Sequence, residues 1–351
     1  MLLRPLSLAL LLLSNPAAAQ IREVGNIVYD GVPETPPELA AAIAPYYEAR
    51  SAVFESWMAD GSMLIATRFG DTNQIHRLTA PGAARTQLTF FREPVNTATA
   101  QPGSDRFLYM RDVGGAEYYQ AWLRGLNGAE TRITAPRTRN SDFHFTPDGQ
   151  WVVWSQVTPG DPNYDILMAP VADPEARRVI HEGQGAMSPL QISADGKTVL
   201  ATRYTSAAAV ELFVLDVASG KLTPVGGKAG YQGGARTADG KGIVTLSDAG
   251  SDVTRPVVID IATGKVRDLD PKAMWPAEAF DLTPDGKLIA YSVNEQGYNW
   301  IVIRDLASGK DVPTGKLPLG VLTGLGFSPD GKQPHRLPAS VDDAPSRSLL
   351  T

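Results

Sequence analysis

The chain contains no cysteine, which rules out disulfides, thiolate metal sites and lipid attachment through a cysteine at a cleavage point. Histidine is scarce: His76, His144, His181 and His335 are the only 4 in 351 residues. They stand far apart, without the close ligand spacing of a zinc or copper motif, so no metal and no other cofactor is expected. Beyond the N terminus no segment approaches the roughly 20 consecutive apolar residues a membrane-spanning helix needs. Charge of one sign is also missing. A net charge of −6 with both signs interspersed leaves no basic stripe for nucleic acid. No stretch after the leader sustains a 3.6-residue apolar period, which argues against a helical protein.

What is present is a turn that recurs at a fixed interval. Asp60-Gly61, a degenerate Gly103-Ser104-Asp105, Asp148-Gly149, Asp195-Gly196, Asp239-Gly240, Asp285-Gly286 and Asp330-Gly331 place their aspartates 45, 43, 47, 44, 46 and 45 residues apart. A period near 45 is that of a four-stranded propeller blade. A second turn keeps the same register: Ser219-Gly220-Lys221, Thr263-Gly264-Lys265 and Ser308-Gly309-Lys310. Aspartate bonds its own backbone and glycine accepts positive φ, so both signals have a mechanism as hairpin turns. The runs between them, such as Trp151-Val152-Val153-Trp154 and Leu288-Ile289-Ala290-Tyr291, are β-branched and aromatic. They are continuously apolar, as strands covered on both faces by neighbouring blades must be. The predicted fold is an all-β propeller of six complete blades and an incomplete seventh.

The termini read differently. Arg4, the apolar run Leu6 to Leu13 and Ala17-Ala18-Ala19 make residues 1–19 an export signal, which predicts a mature chain starting at Gln20 in the periplasm or outside the cell. Residues 20–51 form a leader, with a strand expected at Ile27-Val28-Tyr29 and one or two helical turns from Pro37. The propeller is assigned to 52–332. In 333–351 the pattern fails: Pro334 and Pro338 remove ladder donors, and no strand is expected after the seventh turn. Blades one and six should then expose apolar surface, leaving an open ring prone to self-association.

Several segments in the first blades carry a resemblance. Thr67-Arg68-Phe69-Gly70, Gln74-Ile75-His76, Pro81-Gly82-Ala83-Ala84-Arg85, Gln87-Leu88-Thr89-Phe90-Phe91 and Glu93-Pro94-Val95, then Asp112-Val113-Gly114-Gly115 with Glu117 and Arg139-Asn140, resemble the opening of bacterial exported prolyl oligopeptidase family peptidases. The later turns are shared with TolB-like propellers. The resemblance implies a propeller followed by an α/β-hydrolase domain holding serine, aspartate and histidine, the propeller restricting entry to short peptides. Its nucleophile signature, Gly-x-Ser-x-Gly, occurs nowhere in the chain. A shift of reading frame near the codon for Pro334 would account for the change of pattern there. The expected function is therefore the non-catalytic, substrate-gating portion of such a peptidase, inactive alone. A peptide substrate is expected only if a hydrolase domain is present, and the alternative is a freestanding TolB-like propeller that binds a protein or peptide.

No catalytic, cofactor-binding or metal-binding residue is predicted. Arg68, His76, Arg85 and Glu93 are expected to brace the first blade rather than line the channel. Gly226-Gly227-Lys228-Ala229-Gly230 lacks Walker spacing and is expected to be a blade connection. Each aspartate turn offers one carboxylate and no closing glutamate, unlike a calcium loop.

Overall fold

The computed structural model describes residues 21–25, 27–48, 50–80, 82–314, 320–331 and 334–339. The export signal expected at 1–19 and the tail beyond 339 lie outside these residues. The chain divides into two units at Ala49 and Arg50. In the first unit, strands Ile21–Val24 and Ile27–Asp30 pair only with each other, and the helix Pro37–Tyr47 follows. Proline at its first position suits a helix start, where no intrahelical donor is lost.

The second unit is a propeller. Six antiparallel sheets of four strands follow one another in sequence order, blade one running from Val53 to Gln87 and blade six from Ala277 to Val312. A seventh sheet has two described strands, Val321–Phe327 and Pro334–Ala339. The first strands of the blades line the axis, and that of the seventh packs between those of blades six and one. All four strands of blade one come from one continuous stretch, so the ring closes without strand exchange.

The core is a series of interfaces between neighbouring blades, because alternate residues of a strand face opposite neighbours. Val152 and Trp154 of the second strand of blade three pack on Leu108, Leu123 and Ile133 of blade two. Val153 turns the other way, into the layer formed with Met187, Val199 and Phe213 of blade four. Both faces being covered, the strand buries five consecutive residues. Six such apolar layers fill the seams from blades one and two to blades six and seven. At the remaining seam, between seven and one, the Phe54 side chain lies against Gly324 and Gly326, where Cβ atoms would stand 3.5 Å from the Phe54 Cβ and 3.3 Å from its ring.

The turns have the expected chemistry and one further component. In blades three to six the aspartate Oδ1 accepts the backbone N–H two residues on, at 3.0 to 3.1 Å. Glycine follows at φ near +68°. The hydroxyl two residues before the aspartate (Thr146, Ser193, Thr237 or Thr283) donates to the same oxygen at 2.6 to 2.7 Å. It also accepts the N–H that opens the next strand, at 2.9 to 3.0 Å. These hydrogen bonds hold the exposed carboxyls of Asp148, Asp195 and Asp239 below the usual carboxylate range, and for Asp285 the Lys287 ammonium at 2.9 Å is the larger cause.

Side chains repeat the blade period across the seams. Glu55 and Ser56 accept the N–H groups of Ala98 and Ala100, and Gln101 donates to the Gly149 carbonyl. Ser188 donates to Asp142, Gln191 accepts from Arg236, and Asp281 accepts from Phe327. Partners are 43 to 48 residues apart, one blade in each case.

The structure departs from expectation after the seventh turn. Residues 334–339 form a strand paired antiparallel with Val321–Phe327, from Phe327 opposite Pro334 to Val321 opposite Ala339. Pro334 and Pro338 have the same strand parity and so remove donors from one edge only. Such residues are tolerated where that edge carries no ladder. On the flanking blades Met63 and Ile65 of blade one and Ile301 and Ile303 of blade six are all at least nine-tenths buried, while Trp300 and Val312 of blade six are exposed.

Candidate functional site

The two ends of the propeller are made from different connections. Links from first to second and from third to fourth strands, the tight turns, emerge at one end. Loops from second to third strands, and links from one blade to the next, emerge at the other. The exposed large apolar residues divide unevenly between them. Phe69, Phe90, Val113, Tyr118, Tyr119, Tyr204, Met274, Tyr298 and Val321 belong to the loop end, and Trp151, Val179, Val266 and Val312 to the turn end. The loop end is also where the segments of blades one to three that carry the resemblance meet, except the link between third and fourth strands of blade one, from which the Arg85 side chain reaches Phe69.

That convergence is built from buried polar groups. Gln74 opens the third strand of blade one, and its Nε2 donates to the carbonyls of Phe91 and Glu93, both at 3.0 Å. Its Oε1 accepts the Phe91 N–H at 3.1 Å, so one side chain fixes the link to blade two. Thr89 helps by accepting the Ile75 N–H at 2.8 Å. Gln74→Ala should destabilise the propeller by about 1–3 kcal/mol, because it strands three backbone groups. The midpoint of a urea titration reads this effect.

Rings and guanidinium groups cover the clamp. Phe69 meets the buried His76 edge-on at 4.9 Å and carries the Arg85 guanidinium 4.2 Å above its centroid. Arg85 also donates to the Arg68 carbonyl at 3.3 Å. Arg68, His76, Arg85 and the Glu93 backbone thus gather at one corner as braces. Burial depresses His76, and Arg85 adds to the depression, so its imidazole is neutral at pH 7. Next to this corner Arg111 lies 4.0 Å above the Phe91 ring, which stacks on Tyr109 at 5.8 Å. In blade two the Glu117 N–H donates to Asp112 and its carboxylate lies 3.7 Å from Arg139. Asn140 donates to the Tyr119 carbonyl at 2.9 Å, tying blade three to the same loop.

The other histidines are dispersed. Burial depresses His144, on the axial strand of blade three. His181 Nδ1 lies 3.0 Å from the Gly220 carbonyl oxygen. The His335 side chain is outside the described residues. Among the described residues no three His, Cys, Asp or Glu side chains stand close enough to share a metal. Residues 226–229 lie within the last strand of blade four, Leu222–Ala229, and Gly230 links it to blade five. At the turn end a groove of about 800 Å³ runs between blades five and six past Asp239, Lys241, Asp260, Lys265, Arg267 and Lys287.

Gln74, Glu55 and Asp281 are the functional-site and seam residues that sequence reasoning missed. A signal for the last two exists: polar residues on successive axial strands recur with the blade period.

Comparison with known proteins places the fold. No family model matches the chain, and no curated protein matches it. Among solved structures it is similar to TolB from Acinetobacter baumannii, with TM-score 0.51 and 18% identity over 84% of this chain and 64% of that one. A prolyl endopeptidase analysed for the role of inter-domain dynamics in catalysis and specificity gives TM-score 0.66 and 13% identity, over 83% of this chain and 47% of that one. An oligogalacturonate lyase from Vibrio parahaemolyticus gives TM-score 0.64 and 12% identity over 81% and 87%. The chain thus spans less than two thirds of the TolB chain and about half of the prolyl endopeptidase. The fold is a β-propeller of the kind found in TolB and in prolyl endopeptidases.

Proposed function

We propose that this chain is an exported, non-catalytic propeller whose loop end docks the α/β-hydrolase domain of a prolyl oligopeptidase-type serine peptidase, the ring limiting entry to short peptides. One observation carries the reading: the segments that resemble such peptidases, apart from the one that ends at Arg85, are separated by up to some seventy residues in sequence and gather at the loop end among its exposed aromatic rings. Solvent-facing rings grouped at one end of a ring mark a surface that excludes water when a partner covers it. The absence of Gly-x-Ser-x-Gly supports a non-catalytic role for these 351 residues.

A second reading uses the same surface. A freestanding periplasmic propeller would dock a protein or peptide on those rings, and likeness in fold to TolB supports it equally. The full chain, mixed with a separately produced hydrolase domain of a prolyl oligopeptidase, separates the two by sedimentation. Association that Phe69→Arg and Tyr118→Arg abolish supports the peptidase reading. No association, with periplasmic proteins retained on the immobilised chain through the same two residues, favours the freestanding one. The chain alone should hydrolyse short proline-containing peptides no faster than buffer, and serine-dependent turnover would overturn the non-catalytic role.

A further inference from the structure

Two of the inter-blade hydrogen bonds differ from the others in the acceptor. Between blades one and two the Ala98 N–H donates to Glu55 Oε2 at 3.2 Å. Between blades six and seven the Phe327 N–H donates to Asp281 Oδ2 at 2.7 Å. The other bonds between partners one blade apart use Ser56, Gln101 and Gln191, which do not titrate, or Asp142, whose Oδ2 accepts three hydroxyls from Ser141, Ser155 and Ser188 at 2.9 to 3.0 Å. Glu55 and Asp281 receive no such set of donors.

The surroundings of both carboxyls are poor in charge. Glu55 lies beside Met63–Thr67 of its own sheet and near Ala98–Ala100 and Val321–Phe327, none of which carries a titratable residue. The neighbouring strand Pro334–Ala339 carries His335 and Arg336. Asp281 lies opposite Ala290 in the strand Leu288–Glu295, which brings Tyr291, bonded to Asp270 at 2.8 Å, and Glu295 at its far end. From blade five, packed on the same strand, come Arg255, ion-paired with Asp268, and Asp260, held in its turn by Thr263. Among the described side chains no cation bonds Glu55 or Asp281. Burial therefore dominates, offset only in part by the backbone donors: it raises Glu55 to about 7 and pushes Asp281 above the usual carboxylate range.

We propose that Glu55 and Asp281 are protonation-dependent staples that hold the first and last seams of the ring more tightly in mildly acidic surroundings than at neutral pH. A carboxyl that binds its proton more tightly in the folded chain than in the unfolded one adds stability at low pH. For Glu55 that contribution is complete below 4.5 and is lost as pH rises through about 7. Asp281 acts in the same sense from 3.8 upward. His76 and His144, depressed by burial, act in the opposite sense below 6.5, and the turn aspartates act below 3.8. Whole-chain melting therefore mixes the contributions, and the difference between variants isolates the staple.

The full chain and Glu55→Gln are melted between pH 4.5 and 7.5, and amide exchange of Ala98 and Phe327 is followed in the unmodified chain over the same range. The melting temperature of the unmodified chain should fall relative to Glu55→Gln by about 5 °C across that window. Protection of the Ala98 amide, corrected for intrinsic exchange, should fall about tenfold or more, and that of the Phe327 amide should fall in the same sense. Ser56→Ala, which removes a staple that does not titrate, should lower the melting temperature equally at every pH. A constant gap between the unmodified chain and Glu55→Gln, or pH-independent protection at both amides, overturns the proposal. Should Glu55→Gln fail to fold, exchange in the unmodified chain decides alone.

Discussion

Replacing Trp154 with alanine is expected to cost about 3–5 kcal/mol, a large part of the stability of a domain. The indole is fully buried and stacks on Phe143 at 5.8 Å with an interplanar angle of 11°. It fills the layer between blades two and three together with Leu108, Leu123, Leu167 and Ile133. The strands on either side are tied into their own ladders, so the layer cannot collapse onto the space left. Trp154→Phe should cost much less, because it keeps a ring against Phe143 and removes an indole N–H that has no hydrogen-bond partner. Chemical denaturation of both variants measures the two effects. A loss under 1 kcal/mol for the alanine variant would mean that blades two and three are not packed as described.

Gly183→Ala is expected to be at least as damaging. A Cβ at this position would stand 1.8 Å from the Tyr164 carbonyl oxygen and 2.7 Å from its carbon. Both are backbone atoms, so no side-chain rotation relieves the clash. The Gly183 N–H also donates to Asp165 Oδ1 at 2.9 Å, which pins the link between blades three and four to the third strand of blade three. Relief requires moving that link and breaking the bond. The variant should be recovered mainly as aggregate, with far-ultraviolet circular dichroism of any soluble fraction showing reduced strand content. Gly227→Ala is the control, since a Cβ there meets nothing within 4 Å.

The propeller was legible in the sequence because its strongest determinants are local. A hydroxyl, an aspartate two residues on and a glycine after it close a turn whatever lies elsewhere, and the run that follows buries both faces. The strand at 334–339 was not legible, because two prolines in six residues count against a strand until the edge they face is known. That is a property of the sheet and not of the segment. At the loop end the corner residues Arg68, His76, Arg85 and Glu93 were recognisable as a group, and the structure brings them together as braces. Gln74, which holds the corner, gave no signal, since a glutamine at the start of a strand is unremarkable until its three partners 17 and 19 residues away are in place. Glu55 and Asp281 gave only the recurrence of polar residues on axial strands as a signal, and their partners lie one blade away.

Closure without strand exchange has a consequence for assembly of the chain. Each sheet is completed by a stretch of about 45 residues, so only short loops need close before a blade can form. Folding can begin in any blade and spread to its neighbours, as in a linear repeat array. Meeting of the two ends is different: it joins Phe54 to Gly324 and Gly326 across most of the chain, with apolar contact and no shared ladder. The seam between blades seven and one is therefore the last to form and the first from which the ring can come apart.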